Sequence, residues 1–455
     1  MLRRMYKHHG GVEAPSAGGE PDPALAGVEN KGPDQGFFQQ GPEETVDKLG
    51  AIRLRHQPIM KILQILPRKP YPPTDGGRIV AYNTIKHLAE LGHQITAVSL
   101  TEEMQRPREL EKYCNWIPVE KDTSTTVRGL IGNLVSGKPY TVSKYHGTAM
   151  EKKVLEILST GKFDLVHADG LHTAEYALHA RREFDLPAVL RQHNVETKIM
   201  ERFYHNQPNP LSKLYGYLQY RKLKSYESEI CNNFDRCLTI TKKDDERLRE
   251  MNSEISTSII TAGVDTSYFS PREVEEEPDT IISVAAMDWT PNVEAVLWFH
   301  ERIFPKIQEE VPEAKFYIVG KNPPEKINGL EGNGTVVTGF VPDVRPYMAK
   351  AQAFVVPLKT GSGMRIKILN AMAMKKAVVS TSVGREGIGA RDGTEICVAD
   401  KPDEFAGALI SLLKDEEKRE SIARRGLELV REQYQWGSVI RDLVCVYRRV
   451  LDEYQ

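Results

Sequence analysis

From Met60 onward the chain alternates two kinds of hydrophobic pattern. Short apolar runs rich in Val, Ile, Leu and Ala, bounded by Gly, Pro or Asp, read as strands buried on both faces. Between them lie longer stretches with apolar residues three and four apart, which read as helices covering those strands. The pattern predicts strands at Lys61–Leu66, Gln94–Leu100, Leu165–Ala168, Ala188–Gln192, Arg236–Thr241 and Thr257–Thr261, with helices between them that include Arg78–Leu91 and Ser212–Asn232. After a Pro- and Glu-rich stretch at Ser270–Asp279 the series restarts. Its strands are Ile281–Ala285, Lys315–Val319, Val336–Thr338, Ala353–Pro357 and Ala377–Thr381, and its helices include Val293–Val311 and Arg365–Met374.

Such alternation is the signature of parallel sheets with crossover helices. The expected fold class is α/β, with two Rossmann-like, doubly wound domains at 60–270 and 271–434 facing each other across a cleft between the carboxyl ends of their strands. A last helix, Trp436–Glu453, exceeds what the second sheet needs, so 435–455 is expected to pack back on the first domain. Residues 1–59 have a different character, as in the Gly-, Pro-, Glu- and Gln-rich run from Gly18 to Gln40. With so few aliphatics they cannot bury enough apolar surface to offset the entropy of ordering. They are expected to be a disordered or spurious extension without a function.

Composition narrows the class. A hydrophobic content of 40%, a charged content of 27% and a net charge of -2 over 455 residues describe an ordinary globular enzyme-sized chain. The missing basic surplus argues against nucleic acid as a partner. Five scattered cysteines without a CxxC pair suit a reducing compartment and offer no metal site. No apolar run approaches the roughly 20 residues of a membrane span, and no signal-type apolar region stands near the start, so a cytoplasmic location is expected.

Candidate chemistry concentrates at GSGMRIKILNAMAMKKAVVSTSVGREGI, Gly361 to Ile388. Gly361, Ser362 and Gly363 allow close backbone approach, and Ser362 is a candidate N-cap for the helix that follows. Arg365 and Lys367 fall in the first turn, where the helix dipole disfavours cations but favours an anion. Two cations at that end make sense around a diphosphate, Arg365 binding bidentately and Lys367 as a point charge. The blander reading is a surface helix with two solvated cations. In the first half, Gly76 and Gly77 follow the first strand and open a helix, where Asp75 is a candidate cap. His193 closes a strand at the carboxyl edge of the first sheet, where ligands of open α/β sheets sit. Glu196, three residues on, is placed to orient it, and His167 is a weaker rival.

Taken in order, several segments resemble the family 4 glycosyltransferases of the GT-B fold. They are PYPPTDGGRIVAYNTIKHLAELGHQI, DLVHAD, LRQHNVE, ITAGVDTSYFSP, AAMDWTPNVEAVLWF, YIVG and the Gly361 motif, and the likeness runs from about Met60 to the end. The resemblance implies transfer of a sugar from a nucleotide-diphosphate sugar to a hydroxyl of a glycan or lipid-linked acceptor. It further implies retention at the anomeric carbon and no metal or other cofactor, in polysaccharide or glycoconjugate biosynthesis. His193 matches the family's donor-sugar-contacting histidine. Gly76, Gly77, Gly361, Ser362, Gly363, Arg365, Lys367 and Asn370 fall on donor-binding positions, and Asp75 and Glu196 on the acceptor side. The hinge about Gly263–Pro271 would close the domains.

Two departures stand out. The Arg and Lys usual after the first C-domain strand are replaced by Met287-Asp288-Trp289, so Arg365 and Lys367 carry the diphosphate in this reading. The family's E-x7-E pair reads Ser362 and Asn370. A carboxamide in place of the second carboxylate loses charge-assisted bonds to the ribose worth about 1.5–3 kcal/mol. Glu386 is a substitute carboxylate, although solvation beside its helix is the favoured reading. Asn370 keeps open an inert relative that binds a nucleotide or a partner, and a sugar-nucleotide epimerase on the same fold is a second rival. The basic, aromatic segment Arg202–Tyr226 reads first as a scaffold helix with snorkelling cations, and second as a peripheral contact with the inner face of a membrane.

Overall fold

The structure, a computed structural model, describes residues 58–454 apart from Pro208 and Ser362. The expectation for 1–59 therefore lies outside the described residues except for Pro58 and Ile59, and so does the role of Ser362.

Two parallel sheets with crossover helices form the scaffold, as the alternating pattern predicts. The first has seven strands in the order β3-β2-β1-β4-β5-β6-β7. These are β1 Lys61–Leu66, β2 Gln94–Thr101, β3 Asn115–Glu120, β4 Leu165–Asp169, β5 Ala188–Gln192, β6 Arg236–Thr239 and β7 Thr257–Ile259. The second has six strands in the order β10-β9-β8-β11-β12-β13. These are β8 Thr280–Val284, β9 Lys315–Val319, β10 Thr335–Gly339, β11 Ala353–Val356, β12 Ala377–Ser380 and β13 Cys397–Val398. The central strands β4, β5, β11 and β12 are buried along their whole length, so each shows an apolar stretch in the sequence, which β4 and β5 break with the buried polar residues His167, Asp169, Arg191 and Gln192. Seven helices matter below: α1 Gly76–Glu90, α2 Glu196–His205, α3 Pro210–Asn232, α4 Lys242–Met251, α5 Thr290–Arg302, α6 Ile366–Ala373 and α7 Trp436–Tyr454.

Three expectations need correction. Strands β3 and β13 are absent from the predicted set; both are edge strands, one interrupted by Pro118 and the other only two residues long. An edge strand tolerates proline because one of its sides needs no partner. The single helix expected at Val293–Val311 is two, Thr290–Arg302 and Phe304–Glu310, because Pro305 opens a new first turn and cannot continue the old one. The helix expected from Arg365 begins one residue later, with Arg365 itself at the N-cap and no side-chain cap bond.

The last helix crosses back onto the first sheet. Trp436, Ile440, Leu443, Tyr447 and Val450 join one core with Ile62, Val80, Ile85 and Leu165. The two chain crossings between domains run side by side: Val264 N–H donates to Tyr434 C=O at 2.7 Å and Val264 pairs with Gln435. At Gly263 a Cβ would lie 2.5 Å from the Trp436 indole. Gly263→Ala is therefore expected to destabilise the folded chain by about 1–3 kcal/mol through overpacking, read as a lower urea midpoint with an unchanged slope.

Candidate active site

Strand order decides where ligands can sit. In the first sheet it reverses between β1 and β4, and in the second between β8 and β11. Crossovers leave these paired strands on opposite faces, which opens a crevice at their carboxyl ends. The sequence-predicted residues fall on the loops that leave these strands and their neighbours.

On the first sheet, the loop after β1 ends in Asp75, which caps α1 by accepting from Arg78 N–H at 3.1 Å. Arg68 Nη2 donates to the same oxygen at 3.1 Å and Arg78 Nε lies 3.4 Å from the other. Gly76 and Gly77 are the first helical residues. A Cβ on Gly76 would meet nothing within 4 Å, whereas one on Gly77 would lie 3.3 Å from Arg68 Nη2. The cap that the sequence suggested is present, with two guanidinium groups gathered around it.

His193 follows β5, and its Nε2 is bonded to Asp169 at the end of β4. The Asp169 side chain is 2% exposed and its second oxygen accepts from Gln64 Nε2 at 2.9 Å. Burial alone would raise the Asp169 pKa, but the His193 charge and bond, then His167 and Arg191, outweigh it and hold it down at about 2. The carboxylate thus stays ionised and fixes the imidazole. His167 is no rival: it is wholly buried, its Nδ1 meets Tyr447 Oη of α7 at 2.6 Å, and burial pushes its pKa down to about 3.

Glu196 opens α2. Burial, and after it the Glu227 carboxylate, raise its pKa to about 8 against the pull of Lys144. Glu227, on α3, accepts the first amides of α2, from Glu196 at 2.9 Å and Thr197 at 2.8 Å. Burial raises Glu227 to about 7 despite these bonds. A carboxyl from another helix therefore does the capping that Val195 cannot. Lys144 also lines a cavity of about 500 Å³ with Lys121, Asn133 and Tyr140.

On the second sheet, the loop after β11 carries Gly361, Gly363 and Arg365 into α6. Gly361 has φ +136°, a backbone conformation that favours glycine, and a Cβ there would displace the Arg365 guanidinium, whose Nη2 would lie 2.6 Å away. Arg365 is 9% exposed and donates to Gly363 C=O through Nη1. Lys367 Nζ donates at 3.0 Å to the neutral Oδ1 of Asn292 on α5, spanning the switch point, and Asn292 is held by a 2.8 Å bond to Ala286 C=O. Burial, and then the like charge of Arg365, press the Lys367 pKa down to about 7. Burial also lowers Arg365, with Glu386 opposing and Arg202 adding to the shift. Asn370 sits one turn further along α6, half-buried, at the position the resemblance gives to a ribose contact.

The halves meet around this loop. Arg202 Nη1 of α2 donates to Gly361 C=O at 2.7 Å, and a Cβ on Gly363 would lie 3.1 Å from Asn194 Oδ1. Glu386 is not solvated as expected. It lies 2.9 Å from Lys243 Nζ and 3.8 Å from Arg247 Nη2, both on α4 of the first domain, because the turn after β12 faces that helix across the cleft. Among the described residues no cluster of three or more His, Cys, Asp and Glu is placed to hold a metal ion, and no helix is long and apolar enough to cross a membrane.

Sequence reading missed Arg68, Asp169, Glu227 and Asn292. Asp169 was within reach, since it directly follows the DLVHA run and so ends a strand at the sheet's carboxyl edge. Glu227 and Asn292 carry no local signal; they matter through contacts with residues 31 and 75 positions away.

Comparison with known proteins agrees with this geometry. The family described as Glycosyltransferase Family 4 matches residues 74–268, and Glycosyl transferases group 1 matches residues 278–415. An uncharacterised 44.6 kDa protein in the cps region of Klebsiella pneumoniae is 23% identical over 82% of this chain and 96% of its own length. The phosphatidyl-myo-inositol mannosyltransferase of Mycolicibacterium smegmatis is 24% identical over 67% of this chain and 76% of its own. Among solved structures, sucrose-phosphate synthase from Thermosynechococcus elongatus superposes with a TM-score of 0.67 at 15% identity, over 86% of this chain and 100% of that one. Anabaena Alr3699/HepE in complex with UDP gives 0.61 at 13% identity, with coverage of 86% and 100%. With one family matching each half in order, and two Rossmann-like sheets facing across a cleft, this chain belongs to the group 1 glycosyltransferases of the GT-B fold.

Proposed function

We propose that the chain moves a hexosyl group from a nucleoside-diphosphate sugar to a hydroxyl acceptor, with retention at the anomeric carbon, in glycoconjugate or polysaccharide synthesis. The observation that carries this reading is the Arg365–Lys367 pair. A buried Arg365 and a half-buried Lys367 stand together at the start of α6, and Lys367 meets a neutral amide rather than a carboxylate. Such a pair is costly in the empty protein and becomes favourable once an anion of more than one charge lies against it. The amides of the α6 start add to that field. HepE, a neighbour in fold, has been solved with UDP and with UDP-glucose, which supports a diphosphate at the equivalent cleft.

In this reading the C1–O bond to the diphosphate breaks as negative charge grows on the leaving oxygen, where Arg365 and charged Lys367 stabilise it. The acceptor oxygen bonds C1 on the same face, and its proton passes to the departing phosphate. His193 holds the donor sugar. Because its Nε2 is committed to Asp169, Nδ1 is the ring atom left for a sugar hydroxyl. Glu196, which holds its proton near neutral pH, and Lys144 face the acceptor side, beside the cavity of about 500 Å³. Contacts such as Arg202 to Gly361 would hold the closed cleft and exclude water.

The test is release of UDP or GDP from a panel of nucleotide sugars, with and without acceptor extract. Acceptor-dependent release with one donor is expected. Sugar interconversion without acceptor would indicate an epimerase, and binding without turnover an inert relative, the reading that Asn370 favours. Asn370→Glu is expected to lower the donor KM by up to about tenfold or leave it unchanged. A tenfold rise would mean that the carboxamide is specifically required.

A further inference from the structure

Outside the cleft, the amino-terminal half of α3 carries a face that the described chain leaves largely exposed, with the Tyr217 ring edge-on against Tyr204 of α2 at one border. Leu211, Leu214, Tyr217 and Leu218 are 78%, 57%, 40% and 41% exposed. Lys213, Arg221 and Lys224 are exposed beside them. At about 100° per residue these positions share one arc of roughly 160° of the helix. No carboxylate of α3 interrupts it, since the first acidic residue after Asn209 is Glu227, buried against α2; Glu201 of α2 borders the face at Lys224. Leu134, 46% exposed, extends the patch, because Lys222 Nζ donates to Asn133 C=O at 2.8 Å and Leu134 C=O at 3.2 Å.

The sequence favours a scaffold helix whose cations snorkel over buried apolar surface. Lys222 instead ties the helix to the Asn133–Leu134 carbonyls, and the leucines are exposed with the charges. We propose that this face docks on an anionic phospholipid surface, with the leucines and Tyr217 entering the headgroup boundary and Lys213, Arg221 and Lys224 meeting lipid phosphates. A second copy is a poorer occupant, since two-fold pairing would set these cations against their own counterparts. The chain as a whole carries a net charge of -2, so the positive face is local rather than a general property. Asn133, which lines the large cavity, adjoins Leu134, so a docked bilayer would lie beside that cavity.

Co-sedimentation of the full chain with vesicles tests this without any donor or turnover, so it stands apart from the transfer reaction. Binding is expected to mixed phosphatidylcholine–phosphatidylglycerol vesicles and not to pure phosphatidylcholine, and to weaken with salt. Lys213→Glu, Arg221→Glu and Lys224→Glu together should cut partitioning on the order of a hundredfold or more. Leu211→Ser, Leu214→Ser and Leu218→Ser together should cut it at least about tenfold. Both variants alter exposed positions, and unchanged thermal unfolding would show them folded. The proposal is overturned by absence of binding to anionic vesicles, by wild-type binding in both variants, or by a dimer in light scattering that the leucine variant dissociates.

Discussion

Replacing Lys367 with methionine is expected to stabilise the empty enzyme while removing most of its transfer activity. The amine has a pKa of about 7 in the folded chain against an ordinary 10.5. Between those values the unfolded chain binds the extra proton, so native stability rises with pH across that window. Below it the charge opposes folding in full. Methionine keeps the stem's packing and removes the charge, so at neutral pH the variant should gain at least ~1 kcal/mol, read as a higher Tm. The same change removes a cation from the growing negative charge of the leaving diphosphate, which should lower kcat/KM about 10²–10³-fold. Arg365→Ala should lose activity similarly. Since the two cations interact, the double variant should lose less than the sum of the singles. A Lys367→Met enzyme that is less stable and fully active would show that the amine is a structural residue.

The second large effect is expected at Asp169. Asp169→Asn leaves the geometry nearly unchanged but removes the charge that holds His193 and offsets buried Arg191, whose own pKa burial lowers. Uncompensated buried charge of this kind costs on the order of 3 kcal/mol. The variant should therefore unfold earlier in urea, and kcat should fall further than the unfolded fraction explains. His193→Gln separates the two roles: it keeps the Asp169 carboxylate opposite Arg191 but loses the His193 charge and the sugar contact, so activity falls while stability falls less than in Asp169→Asn. The pH dependence has a defined sign. Asp169 sits at about 2 in the folded chain against an ordinary 3.8, so its contribution is complete above 3.8 and disappears as pH falls toward 2. Acid unfolding in the wild type, measured by circular dichroism, should steepen in that interval, and the Asn variant should lack that component.

Most of the scaffold was legible because central parallel strands, buried on both faces, carry runs such as KILQIL and AVVS that polar patterning cannot imitate. The edge strands β3 and β13 were not, since β3 contains Pro118 and β13 is too short to show a pattern, whereas the edge strands β7 and β10 were. The proposed diphosphate cradle was legible as a candidate at Gly361, Arg365 and Lys367, where residue type and position within a loop-to-helix turn imply an anion, and the structure places the three on that turn. Its depth was not: the sequence cannot say that Lys367 lies against Asn292 or that Glu386 faces Lys243 on the other domain. The first contact bridges the switch point of the second sheet and the second depends on how two independently wound sheets meet; neither leaves a periodic trace in the sequence.

The most direct measurement is calorimetric titration of the enzyme with the nucleoside diphosphate released in the donor screen, in buffers of differing ionisation enthalpy near pH 8. There Lys367 is largely uncharged when the site is empty and should charge as the diphosphate enters. Uptake of close to one proton is expected, with affinity weakening as pH rises from about 7 to 9, and both features should vanish in Lys367→Met. Binding by the wild type without proton uptake, or an unaltered affinity in Lys367→Met, would contradict a diphosphate seated on this cation pair.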